Sequence, residues 1–136
     1  MSCPHFEPLS PLDRSSWRAR LRPPLGMLYA GVCRCAQEPF HPEGEMLTDN
    51  CNMGYASGQC PHFRPGSGDA VRFSIARTSG ADPVVRWLVE SAGLPVLSGE
   101  LPCAEVGLGP IAGAPAHLAA QLRAYVASYR SACAKG

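Results

Sequence analysis

Val85-Arg86-Trp87-Leu88-Val89-Glu90-Ser91-Ala92-Gly93-Leu94-Pro95-Val96 is the stretch that decides the fold. Val85, Trp87 and Val89 alternate with Arg86, Leu88 and Glu90, the period-two pattern of a strand with one buried face. Ser91 to Pro95, around Gly93, reads as a turn. Val96 to Leu101 resumes as a weaker strand, interrupted by Gly99. Upstream, Val71, Phe73 and Ile75 alternate with Arg72 and Ser74, and Thr78 to Pro83 supplies a turn through Gly80 and Asp82-Pro83. Three strands joined by short turns predict an antiparallel meander.

Downstream, Gly107 to Gly113 reads as a flexible connection, and Pro115 suits the first turn of a helix. Leu118, Leu122, Val126 and Tyr129 recur at three- and four-residue steps, with Tyr125 beside them, so one face of that helix is apolar. Arg130 and Lys135 lie near its end and complement its dipole. The apolar face is expected to cover the greasy side of the meander.

The N-terminal half follows a different grammar. Residues 1–68 hold nine of the 14 prolines. Pro4, Pro8, Pro11, Pro23, Pro24, Pro39 and Pro42 recur so often that few regular elements fit. A helix is expected over Leu47 to Ser57, capped at its start by Thr48 or Asp49 and ended by Gly58. It would place Cys51 inside the helix and Cys60 just past it. Pro11 to Leu21 is a weaker helical candidate. The expected fold is therefore α+β in a single domain, residues 1–136. A loop-rich cysteine segment with a short helix (1–68) precedes a three-stranded antiparallel meander with a C-terminal helix packed on it (69–136). A chain of 136 residues buries roughly two thirds of its unfolded surface. The loop-rich half cannot offset its chain entropy by apolar burial alone and needs a staple.

Composition excludes several function classes. Net charge is +1 with pI near 7.6, so no strong pull toward nucleic acid or a membrane surface is implied. The arginines at 14, 18, 20 and 22 read as a solvated face. There is no apolar run long enough to span a bilayer. The N-terminus shows no secretory pattern and the chain begins at Met1, so no removed leader and a cytoplasmic location are expected. Thiols stay reduced there. The cysteine count, seven, is also odd, so pairing within one chain cannot use them all.

Disulfides and unligated thiols remain as alternatives, and the leading reading of the cysteines is a metal site. Cys3, Cys33, Cys51 and Cys60 are spaced as Cys-x29-Cys-x17-Cys-x8-Cys, with Cys35 as a spare thiol or ligand. Zinc and iron–sulfur clusters both accept four thiolates. Cysteine-rich zinc sites favour tight Cys-x2-Cys knuckles, and the chain has none. Ligands dispersed one per segment suit a [4Fe–4S] cluster, whose irons each want a thiolate from a different direction. The outer pair, Cys3-Pro4-His5-Phe6 and Cys60-Pro61-His62-Phe63, repeats the Cys-Pro that closes ferredoxin-type ligand runs. His5 and His62 are possible substitutes for a cysteine ligand, or neighbours that donate to sulfur. Cys103 and Cys133 read as small buried residues, and His41 and His117 as surface residues.

Cys51-Asn52-Met53-Gly54-Tyr55-Ala56-Ser57-Gly58-Gln59-Cys60 is the most specific segment. Together with Cys3-Pro4-His5-Phe6 and Gly31-Val32-Cys33 it resembles a family of small, uncharacterised bacterial proteins. They share a Cys-Pro-aromatic start, a lone Gly-x-Cys and a Cys-Asn-x-Gly-Tyr-Ala-x-Gly-x-Cys segment. The likeness extends through Asp69-Ala70-Val71-Arg72-Phe73 and the Tyr125 to Tyr129 helix. The resemblance implies Cys33 rather than Cys35 as third ligand. His5 departs from the pattern, where an aromatic is commoner. The family carries no established activity.

No catalytic set emerges: there is no Gly-x-Ser-x-Gly elbow, phosphate loop or His-Glu-x-x-His. The expected function is a small protein holding one [4Fe–4S] cluster through Cys3, Cys33, Cys51 and Cys60. It would act as an electron carrier for a redox enzyme, or as a structural or accessory subunit of a protein partner. The alternative is a structural zinc-binding interaction module, with an enzyme using a reactive thiol as a third class.

Overall fold

A computed structural model describes residues 2–13, 23–34, 38–53, 60, 68, 70–76, 83–107, 111 and 113–135, with side chains to 131. The chain runs β1 (Phe6–Pro11), β2 (Tyr29–Cys33), a π-helical segment (Met46–Asn52), β3 (Ala70–Ala76), β4 (Val84–Ser91), β5 (Leu94–Pro102), a 3₁₀ turn (Cys103–Glu105) and α1 (Ala116–Lys135).

The expected α+β architecture is present. β3, β4 and β5 form the antiparallel meander in that order. Alternation decides which side chains meet on its inner face: Val71 faces Val89, Phe73 faces Trp87 and Ile75 faces Val85. The β4–β5 connection is a two-residue turn, Ala92 at φ 52° and Gly93 at φ 79°. Two left-handed residues in succession match the strand twist of a tight hairpin. The register shifts between Val89 and Glu90, which pair with Leu97 and Pro95 and leave Val96 bulged. That bulge, with prolines at 95 and 102, blunts β5 as an edge. The expected turn between β3 and β4, Thr78 to Pro83, lies outside the described residues except for Pro83.

α1 begins where Ala119 N–H bonds the Pro115 carbonyl at 2.9 Å. It buries Leu118, Ala119, Leu122 and Val126. Tyr125 stacks on Phe73 of β3, ring centroids 5.4 Å apart. The helix also lies along β1, so it touches both halves. Arg130 complements more than the dipole: its Nη2 donates to the Cys103 carbonyl and ties the helix to the 3₁₀ turn.

The N-terminal half holds more regular structure than its prolines predict. β1 and β2 form a two-stranded antiparallel sheet, with Phe6 facing Cys33, Glu7 facing Val32 and Pro8 facing Gly31. Pro8 and Pro11 cannot donate to a ladder, yet an edge strand tolerates that loss. Gly31 is required by close approach, since a Cβ there would stand 2.1 Å from the Glu7 carbonyl oxygen. The helical candidate from Pro11 is not a helix at its start, because Pro11 ends β1; residues 14–22 lie outside the described residues.

The expected helix over Leu47 to Ser57 is a π-helical segment that starts at Met46, with Glu45 in the N-cap position and no side-chain cap bond. Neither Thr48 nor Asp49 caps it. Met53 N–H reaches back five residues to the Thr48 carbonyl at 3.0 Å. Gly58 lies outside the described residues.

Ser2 joins the halves. It pairs with Val71 through two backbone hydrogen bonds of 3.0 and 2.9 Å, on the free edge of β3. One contiguous core then draws on Phe6, Leu25, Tyr29 and Leu47 as well as Val71, Phe73, Val85, Trp87 and Leu122. No helix among the described residues is long and apolar enough to cross a membrane.

Candidate metal centre

Three of the expected ligands arrive on three different pieces of backbone, and hydrogen bonds hold those pieces together. Cys3 follows the Ser2–Val71 bridge, and its N–H donates to the Cys51 carbonyl at 3.1 Å. Its own carbonyl accepts from Phe6 N–H at 3.2 Å, closing a turn over Cys3–Phe6. Cys33 ends β2 opposite Phe6, so the same turn leads into the ladder that carries it. Cys33 N–H donates to Phe40 at 2.8 Å and Arg34 N–H to the His5 carbonyl at 2.9 Å. Cys51 sits in the π-helical segment, a widened turn that recurs at functional sites. Cys60 is half-buried and packs against the core.

Cys3, Cys33 and Cys51 are only 5–6 % exposed, and neither they nor Cys60 and Cys103 are in disulfides. The Cys51 thiol is pushed far above its ordinary value. Burial is the main cause, and negative charge on Cys3, Cys33 and Cys60 adds to it. Three of the expected ligands therefore act electrostatically on the fourth. Ionising them together inside an apolar core is unfavourable unless a cation balances the charge. Thiol-only donors of this kind fit zinc or an iron–sulfur centre. Among the described residues, no group of three or more His, Cys, Asp and Glu side chains forms a ready single-ion site. The fit rests on the chemistry of the donor set and on the electrostatic effect of three of these thiols on the fourth.

Two polar side chains brace the ligand segments, and the sequence reading assigned neither a role. Asn52 is 1 % exposed and follows Cys51 directly. Its Oδ1 accepts from Tyr29 N–H at 2.8 Å, and its Nδ2 donates to the Tyr29 and Leu47 carbonyls, both at 2.9 Å. It thus acts as a strand partner for the start of β2 and fixes Cys51 beside it. Gln121 of α1 is buried against residues 2–6. The available signal was a polar residue on the helix face that Leu118 and Leu122 occupy.

His5 is half-buried with its ring centroid 6.2 Å from that of His117. His117 is thus half-buried rather than a surface residue, whereas His41 is exposed. Both His5 and His117 are held below the usual imidazole value, chiefly by burial. For His5 the second cause is His117; for His117, Glu7 opposes the shift and Arg34 reinforces it. Cys103 is 4 % exposed and belongs to the core, as a small apolar residue should. Cys35, His62 and the Cys133 side chain fall outside the described residues.

No protein-family model, curated protein or solved structure matches the chain.

Proposed function

We propose that the chain is a small iron–sulfur protein that holds one [4Fe–4S] cluster through Cys3, Cys33, Cys51 and Cys60. The observation that supports this reading is that four cysteines from separate segments lie close enough for three of them to act electrostatically on Cys51, with Cys3 hydrogen-bonded to Cys51 through the backbone. A turn, a strand end and a π-helical segment each supply a buried cysteine, and Cys60 acts on the same buried thiol. Ligands so dispersed, without a Cys-x2-Cys knuckle, favour a cluster over a single ion. When bound, the cluster supplies one-electron chemistry; burial and hydrogen bonds to sulfur set its potential. The chain's part is to hold four thiolates in place, exclude water from three of them and tie the N-terminal half to the meander. The protein would serve a protein partner in the reducing cytoplasm, as an electron carrier or an accessory subunit.

A structural zinc site is the second reading, favoured by how deeply three of the thiols are enclosed, since structural zinc sites are closed. Anaerobic purification followed by metal and acid-labile sulfide analysis separates the two. The cluster predicts a brown protein with about four irons and four sulfides per chain and broad absorption at about 400 nm. Colourless protein with one equivalent of zinc selects the second reading. Protein that takes up neither metal under reducing conditions overturns both.

A further inference from the structure

α1 sends one polar side chain into the core. Gln121 is 0 % exposed and lies between Leu118 and Leu122 on the buried face. Its Nε2 donates to the carbonyls of Cys3 and Phe6, both at 2.6 Å. Its Oε1 accepts from Ser2 Oγ at 2.7 Å. Every one of these partners lies in residues 2–6, more than a hundred residues away in sequence. Two converging carbonyls can be met only by a group with two N–H bonds, and a hydroxyl beside them needs an acceptor; a primary amide is both at once. Glutamate would turn an oxygen on the two carbonyls, and methionine would fill the space without a donor. A buried polar set of this kind has one low-energy arrangement, because shifting the turn leaves carbonyls and amide unpaired together.

The Cys3 carbonyl is held twice, by Gln121 and by Phe6 N–H. Its amide is held by the Cys51 carbonyl. Both sides of the Cys3 α-carbon are therefore fixed, which directs its thiol. We propose that Gln121 is a positioning residue for the Cys3 ligand, and that through it helix α1 governs how that thiol is presented to the metal centre. The consequence for metal loading rests on the four-cysteine reading; the consequence for the Cys3 thiol does not.

The test uses the full chain as wild type, Gln121→Met, Gln121→Glu and Ser2→Ala. In metal-free, reduced protein, alkylation by iodoacetamide is followed at each cysteine by mass spectrometry. Both Gln121 variants should label Cys3 at least about tenfold faster, with Cys103 and the far-ultraviolet dichroism unchanged. Ser2→Ala keeps both carbonyl bonds and should label Cys3 close to the wild-type rate. An unchanged Cys3 rate, or equal acceleration at Cys3 and Cys103, overturns the proposal. In anaerobic reconstitution with iron and sulfide the Gln121 variants should bind about 10- to 100-fold more weakly, the usual loss when a ligand's support is removed. Reciprocally, loading wild-type protein should slow amide exchange in α1 around Gln121 by a similar factor; a helix indifferent to loading also overturns the proposal. Wild-type protein that loads no metal refutes the metal reading alone, and alkylation still decides the role of Gln121.

Discussion

The two halves of this chain reach order by opposite routes. From Ala70 to Lys135, short-range pattern suffices: β3 and β4 alternate, neighbouring strands pair in sequence order, and the helix buries Leu118, Leu122 and Val126, with Gln121 the polar exception on that face. From Ser2 to Cys60, order comes from distant partners. Ser2 pairs with Val71, Cys3 with Cys51, Arg34 with His5, Tyr29 with Asn52, and Gln121 closes on residues 2–6. The first half can fold on the strength of local pairings, while the second is specified by contacts that exist only once the rest is in place. A metal centre at Cys3, Cys33, Cys51 and Cys60 would suit that need, because its binding energy is added where local propensity is lowest.

The largest effect should come from Cys51→Ser. Cys51 is the thiol on which the other three act. Its loss should weaken metal uptake by more than about 100-fold, beyond what support residues alone contribute. Hydrogen-exchange mass spectrometry should show protection falling in residues 2–13 and 23–53 while β3, β4 and β5 keep theirs. Collapse of both regions together would show that the halves are a single cooperative unit and break the comparison.

Next, Trp87→Ala empties a 4 %-exposed position in the meander and should cost about 3–5 kcal/mol in denaturant unfolding. Gly99→Ala attacks the same spot from the other side. Its added Cβ would stand 2.3 Å from the Trp87 ring, and such overpacking costs about 1–3 kcal/mol. Metal stoichiometry and absorption should survive both changes at temperatures where the protein stays folded. An altered metal spectrum in Gly99→Ala would mean that the meander shapes the centre directly.

A pH series separates the halves in a third way. Burial holds the Cys51 thiol above its ordinary 9.0, and Cys103 is raised too, with Arg130 opposing. A group raised on folding stabilises the protein fully below its unfolded value and loses that contribution as pH climbs toward the folded one. Metal-free protein should therefore lose stability above pH 9, by up to about 1.4 kcal/mol per pH unit for each such thiol. In loaded protein Cys51 would already be a thiolate, so Cys103 should contribute at high pH, joined toward pH 10 by Tyr125, which burial also holds up. Loss of metal should occur instead as pH falls and protons compete for sulfur. Thermal melts of the two forms between pH 7 and 10 check this; parallel curves would remove Cys51 from the centre.

The same contrast explains what could be read from the residues alone. Val71 to Ala76 and Val84 to Ser91 announced their strands because one face of each is buried and the period of two survives in the text, whereas β5 is exposed along most of its length and reads more weakly. β1 and β2 were illegible, because Pro8 and Pro11 interrupt one and the other is five residues long. Only the close approach at Gly31 marks their pairing. The candidate ligands were visible by residue type. Their braces were not: Asn52 reads as an ordinary helix residue, and Gln121 matters only because residues 2–6 fold back to meet it.

The smallest expected effect makes the sharpest comparison, since among the described residues each half shows an ion pair, one beside the β1–β2 ladder and one across β4 and β5. Arg34 meets Glu7 with Nε and Nη2 at 2.7 and 2.6 Å from one carboxylate oxygen, the side chains 43 % and 25 % exposed. Arg86 meets Glu100 at 3.1 Å with both side chains about 60 % exposed, at 60 % and 63 %. Exposed pairs contribute about 0.2–1 kcal/mol and fade with salt. Glu7→Gln should fall near the upper end of that range, because its partner is held by two contacts and the pair sits beside Cys33. Glu100→Gln should fall near the lower end. Double-mutant cycles with Arg34→Gln and Arg86→Gln isolate each coupling. Glu7 also raises His117 against the effect of burial, so its removal should shift the His117 titration further down, a change Glu100→Gln should not produce. Equal couplings, with His117 unmoved, would show that the ion pair beside the cysteines adds no more to its half than a surface pair adds to the meander.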